Sequence, residues 1–200
     1  MDEMEASFYV IVSNIAKKQN IGLMMRSACA FGVKEIIVAG SAKNTQTFGA
    51  QGTDKHVHLV YFPKIDGAVA YAKEKGCKII GVEIKPEAVS IVNTPFKNQR
   101  NVAFMLGNEG LGMTDKQCEL CDSFVYIPHY GDGTASLNVS VAASIVFQSF
   151  ASQASYPERK RSGEKFIVKA IPEKRGPESE LDFIKIQERK AKKQVKLLEN

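Results

Sequence analysis

Asn101-Val-Ala-Phe-Met-Leu-Gly-Asn-Glu-Gly-Leu-Gly112 is an apolar run that stops abruptly at Gly107-Asn108-Glu109-Gly110, before a helix-like segment resumes. The uncharged run from Asn101 to Leu106 reads as a strand buried on both faces, as in a parallel sheet covered by helices. The turn after it sets backbone N–H groups, an amide and a carboxylate at the strand end, where open α/β sheets bind ligands. A competing reading of the turn is simple capping of a helix beginning near Met113-Thr114.

Working outward, short β-branched or aromatic runs recur at 8–12, 35–38, 58–62, 78–84 and 124–127. Helical stretches lie between them, notably at 21–31, 65–75 and 114–121. Strands alternating with helices predict an α/β fold with a mostly parallel sheet and helices on both faces. Residues 136–151 form the most apolar helix candidate, with Ser136, Ser140, Ser144 and Gln148 as a polar stripe at i, i+4 spacing. A helix this apolar is buried almost all round, in the core or in a subunit interface.

Charge is uneven along the chain. Residues 1–156 hold 14 basic and 14 acidic side chains, whereas residues 157–200 hold 13 and 8 and so carry the whole net charge of +5. A neutral core with a basic tail predicts a polyanionic partner, a solvated tail being the alternative. Residues 1–156 are expected to form the main domain. Residues 157–177, rich in Pro, Gly and charge, read as a tether, and 178–200 as a basic helix or tail. No stretch approaches the roughly 20 apolar residues a membrane span needs, and the acidic start resembles no signal or transit peptide. A soluble, cytoplasmic protein is the expectation.

Cys29, Cys77, Cys118 and Cys121 do not look like a disulfide framework in a chain of 200 residues. Cys118-Glu-Leu-Cys121 has the spacing of half a zinc site but lacks a second Cys or His pair, so helix-packing thiols are expected and no metal.

Three segments carry chemistry. In Asn20-Ile-Gly-Leu-Met-Met-Arg-Ser-Ala-Cys-Ala-Phe-Gly32, Asn20 reads as an N-cap and Gly32 as a C′ residue. Ile21, Met24, Met25, Ala28 and Phe31 form the core stripe, and Arg26 points away from it between Gly22 and Ala30. A surface Arg packing its stem on the helix is the bland reading. Gly22 speaks for a close approach to the helix instead, since an interior Gly costs about 1 kcal/mol relative to Ala. The second segment is the Gly107–Gly110 turn. In the third, a strand ends at Pro128, a Gly-bearing loop follows, and Ser136-Leu137-Asn138 opens the apolar helix with free N–H groups. Ser136 suits an N-cap there, while the Asn138 amide must find partners of its own.

Together, Asn20-x-Gly22-x-x-x-Arg26, Leu106-Gly107-Asn108-Glu109-Gly110, and Ile127-Pro128 with Ser136-Leu137-Asn138-Val139 resemble the three motifs of the SpoU (TrmH-like) branch of the SPOUT methyltransferases. The likeness covers roughly residues 8–152. It implies methyl transfer from S-adenosyl-L-methionine to a ribose 2′-hydroxyl of tRNA or rRNA, a C-terminal trefoil knot and a homodimer. Carried over by position, it implies that Arg26 is the catalytic arginine, with Asn20 supporting it. It assigns catalytic roles also to Glu109, Ser136 and Asn138. The loops around Glu83, Gly107, Asn108, Gly110, Ile127, Ser136 and Leu137 would hold the cofactor. From Pro128 to Ser136 the chain is one residue longer than is usual for the family. A P-loop or dinucleotide site is not expected, because Ser13-Asn14-Ile15-Ala16-Lys17-Lys18 after the first strand contains no glycine.

A guanidinium is a poor base, so the expected role of Arg26 is to grip an RNA phosphate and stabilise the forming alkoxide, with Glu109 orienting Arg26 or the RNA. Rival readings are a base methyltransferase and a non-catalytic RNA-binding protein retaining the fold. The intact set of polar motif residues argues against the second. The compact catalytic region leans toward tRNA.

Overall fold

The computed structural model describes residues 6–13, 18–40, 56–108 and 112–168. Close packing divides the chain into one unit through Glu158 and a second from Arg159. In the first unit the strands are β1 (Ser7–Ser13), β2 (Glu35–Ala39), β3 (His58–Phe62), β4 (Lys78–Val82), β5 (Val89–Ser90), β6 (Asn101–Leu106) and β7 (Ser123–Tyr126). The helices are α1 (Lys18–Phe31), α2 (Ile65–Glu74), α3 (Asp115–Glu119) and α4 (Val139–Gln153). All seven strands are parallel, in the order β3-β2-β1-β6-β4-β7-β5.

The mostly uncharged character of β1, β2, β4 and β6 follows from burial on both faces. Phe8, Val10, Val12, Ile36, Ile80 and Phe104 face α1 and α4, whereas Ile11, Ile37, Ile79 and Met105 face α2 and its neighbours. On the first face Phe150 of α4 meets Phe8, Phe96, Phe104 and the Tyr156 ring within about 6 Å, largely edge-on or tilted. The core stripe read from sequence holds: Ile21, Met24, Met25 and Ala28 are buried and Phe31 packs against the same cluster.

Helix ends follow from turn chemistry. Gly32 has φ +82°, and the Val33 N–H returns to the Ala28 carbonyl at 2.9 Å, closing α1 with a Schellman motif. The end of α4 repeats the device, with Tyr156 N–H on Ala151 O at 2.9 Å, but the left-handed residue is Ser155, φ +55°. A Cβ in that region is strained, which sets an expectation for Ser155→Gly. The variant should raise unfolding stability by about 0.5–1 kcal/mol, glycine's unfolded-state entropy offsetting part of the relief. Urea denaturation checks this; a loss of stability would contradict it.

The two-residue β5 and the 3₁₀ turn at Ile91–Asn93 carry no period and were not expected. In the second unit, Arg161–Ser162 and Lys165–Phe166 pair antiparallel as β8 and β9, a short hairpin inside the stretch read as a tether. The basic stretch expected at 178–200 lies outside the described residues. No helix among the described residues is long and apolar enough to cross a membrane.

Candidate functional site

Parallel register lines up the carboxyl ends of the strands. Val82 pairs with both Leu106 and Val125, so Glu83, Gly107 and the Tyr126–Ile127 step stand side by side at one edge of the sheet. Two of these strands, β6 and β7, are each inserted between neighbours made earlier in the chain. Strand order therefore switches where an open α/β sheet binds ligands.

The turn after β6 is closed on itself. Asn108 and Gly112 exchange backbone hydrogen bonds of 2.8 and 3.1 Å. The Glu83 carboxylate braces the turn from the next strand, accepting from Met113 N–H at 2.9 Å through Oε2 and from Ile84 N–H at 3.1 Å through Oε1. Gly112 has φ +68°, and a Cβ there would come within 2.7 Å of Glu83 Oε2. Glu83, named from sequence only for its backbone, is thus a buttress through its side chain. An acidic residue closing an apolar strand was the available signal. At Gly107 a Cβ would lie 2.6 Å from the Gly112 carbonyl carbon and 2.8 Å from Met113 N. The glycine is required because two stretches of backbone touch. Glu109 and Gly110 lie outside the described residues.

Two of the expected caps fall elsewhere. α1 starts at Lys18, so Asn20 is no N-cap but sits inside the helix, 4 % exposed. α4 starts at Val139, and its cap is Asn138 rather than Ser136. Asn138 Oδ1 accepts from Ser140 N–H at 2.9 Å and Ser140 Oγ–H at 2.7 Å, while its Nδ2 donates to Asn20 Oδ1 at 3.3 Å. The buried amide of the first segment thereby fixes the cap of the third. The polar stripe continues down the same contact: Ser27 Oγ and Ser144 Oγ are 2.6 Å apart across α1 and α4. Ser136 and Leu137 remain exposed ahead of the cap, with Ser136 in a local turn with Thr134.

Asn138→Ala removes the cap and the tie to Asn20, so a loss of about 1–2 kcal/mol in unfolding free energy is expected, measurable by urea melts. Asn138→Ser should recover the cap part only. A neutral alanine would show that the pair is not structural.

Arg26 projects from the exposed face of α1 and enters no ion pair among the described residues. Ala30, one turn later, is exposed, whereas Gly22, one turn earlier, is buried. The structure therefore unites Asn20 with Asn138, and Glu83 with the Gly107–Met113 turn, while Arg26 has no ion-pair partner among the described residues. Among the described residues no group of three or more His, Cys, Asp or Glu is placed to hold a metal. Burial pushes the Cys77 and Cys121 thiols up, to about 11 and about 12, so both stay protonated and unreactive near neutral pH.

The sequence profile described as the SpoU rRNA Methylase family matches residues 7–148. The tRNA (guanosine(18)-2′-O)-methyltransferase of Escherichia coli K12 is 30% identical over 139 residues, covering 68% of this chain and 59% of that protein. The enzyme of the same name from Thermus thermophilus is 28% identical, over 68% and 70%. This chain thus spans about three fifths of the E. coli relative's length. Among solved structures, the SpoU methyltransferase AviRb of Streptomyces viridochromogenes, in complex with AdoMet, superposes with a TM-score of 0.67 at 23% identity, over 77% of this chain and 60% of that one. The A. aeolicus TrmH/SpoU tRNA modifying enzyme gives 0.65 at 22%, over 96% and 91%.

Proposed function

The chain belongs to the SpoU methylase family, and from that premise we propose that it is an S-adenosyl-L-methionine-dependent RNA methyltransferase acting on a ribose 2′-hydroxyl, with tRNA favoured over rRNA. The observation that carries this is the alignment of Glu83, Gly107 and Tyr126–Ile127 at one sheet edge, beside an α4 cap tied to α1. The tRNA preference is supported by relatives named as tRNA 2′-O-methyltransferases.

Backbone at Gly107, Asn108, Gly110 and Ile127, with Ser136 and Leu137, would hold the cofactor, whose sulfonium supplies an electrophilic methyl group. The chain's own residues then do the positioning. Asn20 and Asn138 fix where α1 and the start of α4 sit. Arg26 grips the phosphate next to the reacting ribose and stabilises the alkoxide as it forms. Glu109 orients Arg26 or the RNA, and Ser136 stands at the exposed mouth of the site. A base methyltransferase is the alternative, and the relatives named as 2′-O-methyltransferases weigh against it.

The same family reading carries a trefoil knot toward the carboxyl end of the sheet, a cytoplasmic location and a homodimer. Exposed Leu23 on α1, with Leu137 and Val141 at the start of α4, supports a second copy docking on these helices. The basic stretch from residue 157 on is the RNA clamp of this reading; a solvated or dimer-packing tail is the alternative.

The first test is transfer of labelled methyl from S-adenosyl-L-methionine to transcribed tRNA and rRNA fragments, with calorimetry of the cofactor alone. Incorporation into tRNA with measurable cofactor binding is expected. Cofactor binding without transfer to any RNA would favour the non-catalytic alternative. Truncation after Glu158 should weaken RNA binding and flatten its salt dependence, and an unchanged slope would remove the clamp.

A further inference from the structure

Beside the motif-two turn the carboxyl edge opens into a hollow of about 280 Å³. Ser13 ends β1 one step past Val12, which pairs with Leu106, so Ser13 stands next to Gly107 in register. The hollow begins there and runs past the ends of β2 and β3 toward α2 and α3. It therefore shares an edge with the methyl-transfer site without being part of it.

Its chemistry is graded from floor to rim. Buried Ala39 and Gln117 form the floor, and Pro63 and Ile65 give an apolar wall. Gln117 is 6 % exposed, and both hydrogen bonds made by its amide run through Oε1, from Thr114 N–H at 2.9 Å and Thr114 Oγ at 3.1 Å. Its NH₂ group is the donor left for a guest. Lys64 and the Asp66–Lys116 pair, 2.6 Å apart, stand exposed at the rim.

A cavity with one buried neutral donor, an aliphatic wall, and at its mouth Lys64 beside the Asp66–Lys116 pair fits a planar, uncharged, hydrogen-bonding ring attached to an anion. That describes a nucleotide with its base inside and its phosphate at Lys64, Lys116 being held by Asp66. The size is just below the usual range of small-molecule pockets, about 300–1,000 Å³, and suits one ring system. We propose that this hollow takes a single unstacked base of the substrate RNA and that the Gln117 amide reads its edge, making Gln117 a specificity-determining residue. Single-stranded RNA is read in this way, by splaying a base out and bonding its edge. The proposal rests on the RNA-methylating reading above, and it names a base-selective contact beyond the motif residues.

The probes are the four nucleoside 5′-monophosphates and inorganic phosphate, each titrated into the full chain while ¹H–¹⁵N spectra are recorded. The expected result is a shift of the Gln117 side-chain NH₂, with Ser13 and Thr114, larger for one or two bases than for the others. Gln117→Glu keeps the acceptor for Thr114 and exchanges the donor for an acceptor. The Kd of the preferred nucleotide should rise about 10-fold in that variant, with cofactor affinity unchanged. Equal shifts with inorganic phosphate alone, equal response to all four bases, or an unaffected Gln117 NH₂ would overturn the proposal. The spectra of the unaltered protein suffice if the variant melts early. Methylation of RNA without these shifts would sink the base pocket alone. Base-selective shifts in a protein that methylates no RNA would sink the catalytic reading instead.

Discussion

Arg26→Ala is expected to lower methyl transfer by about 100- to 1,000-fold while leaving cofactor affinity nearly intact. The magnitude is that of removing one preorganised donor to a developing oxyanion, about 3–4 kcal/mol of transition-state stabilisation. Arg26 lies on the exposed face of α1, with Met24, Met25 and Ala28 on the other side holding the helix to the core. Removing its side chain therefore takes away little packing, and the melting temperature should scarcely move. Arg26→Lys separates charge from shape: an ammonium keeps the attraction to phosphate but loses the planar fork, so it should recover only part of the rate. Single-turnover kinetics with saturating RNA, beside calorimetry of the cofactor, makes the comparison. A fall in cofactor affinity matching the fall in rate would move Arg26 from the reaction to the cofactor.

Gly107→Ala should act through geometry instead. The added methyl group meets the Gly112 carbonyl carbon and the Met113 nitrogen, which are main-chain atoms and cannot rotate away. The closed turn must open, breaking the Asn108–Gly112 exchange and the Glu83–Met113 bond with it. A loss of about 1–3 kcal/mol in stability is expected from the overpacking. Cofactor affinity should fall by about 30- to 100-fold, because the wall is displaced, equivalent to roughly 2–3 kcal/mol. Gly133→Ala is the control, since a Cβ there meets nothing within 4 Å. Unchanged cofactor affinity in Gly107→Ala would show that the turn is not a wall of the slot.

These two variants also mark how far sequence reasoning reached. The parallel sheet and the buried stripe of α1 were legible because uninterrupted apolar runs and a 3.6-residue period each imply one kind of packing. The cap of α4 was not. Ser136 and Asn138 are both good caps two residues apart, and the choice between them is made by Asn20, more than a hundred residues away. Gly107 was visible as a glycine with a purpose, but the backbone of Gly112 and Met113 that demands it appears only once the turn is folded. The bracing role of the Glu83 carboxylate is hidden for the same reason, since its partner is brought in by strand pairing between β4 and β6. The hollow beside Ser13 draws also on Pro63 and Gln117, which no local pattern connects.

Alkaline hydrolysis of RNA methylated by the full chain tests the central claim most directly. A 2′-O-methyl group removes the hydroxyl that alkali needs to cleave the next phosphodiester bond. With labelled methyl, the label should therefore appear in an alkali-resistant dinucleotide and, after nuclease digestion, in a 2′-O-methylnucleoside. Label recovered in alkali-released mononucleotides carrying a methylated base would contradict the ribose chemistry and leave only the fold standing.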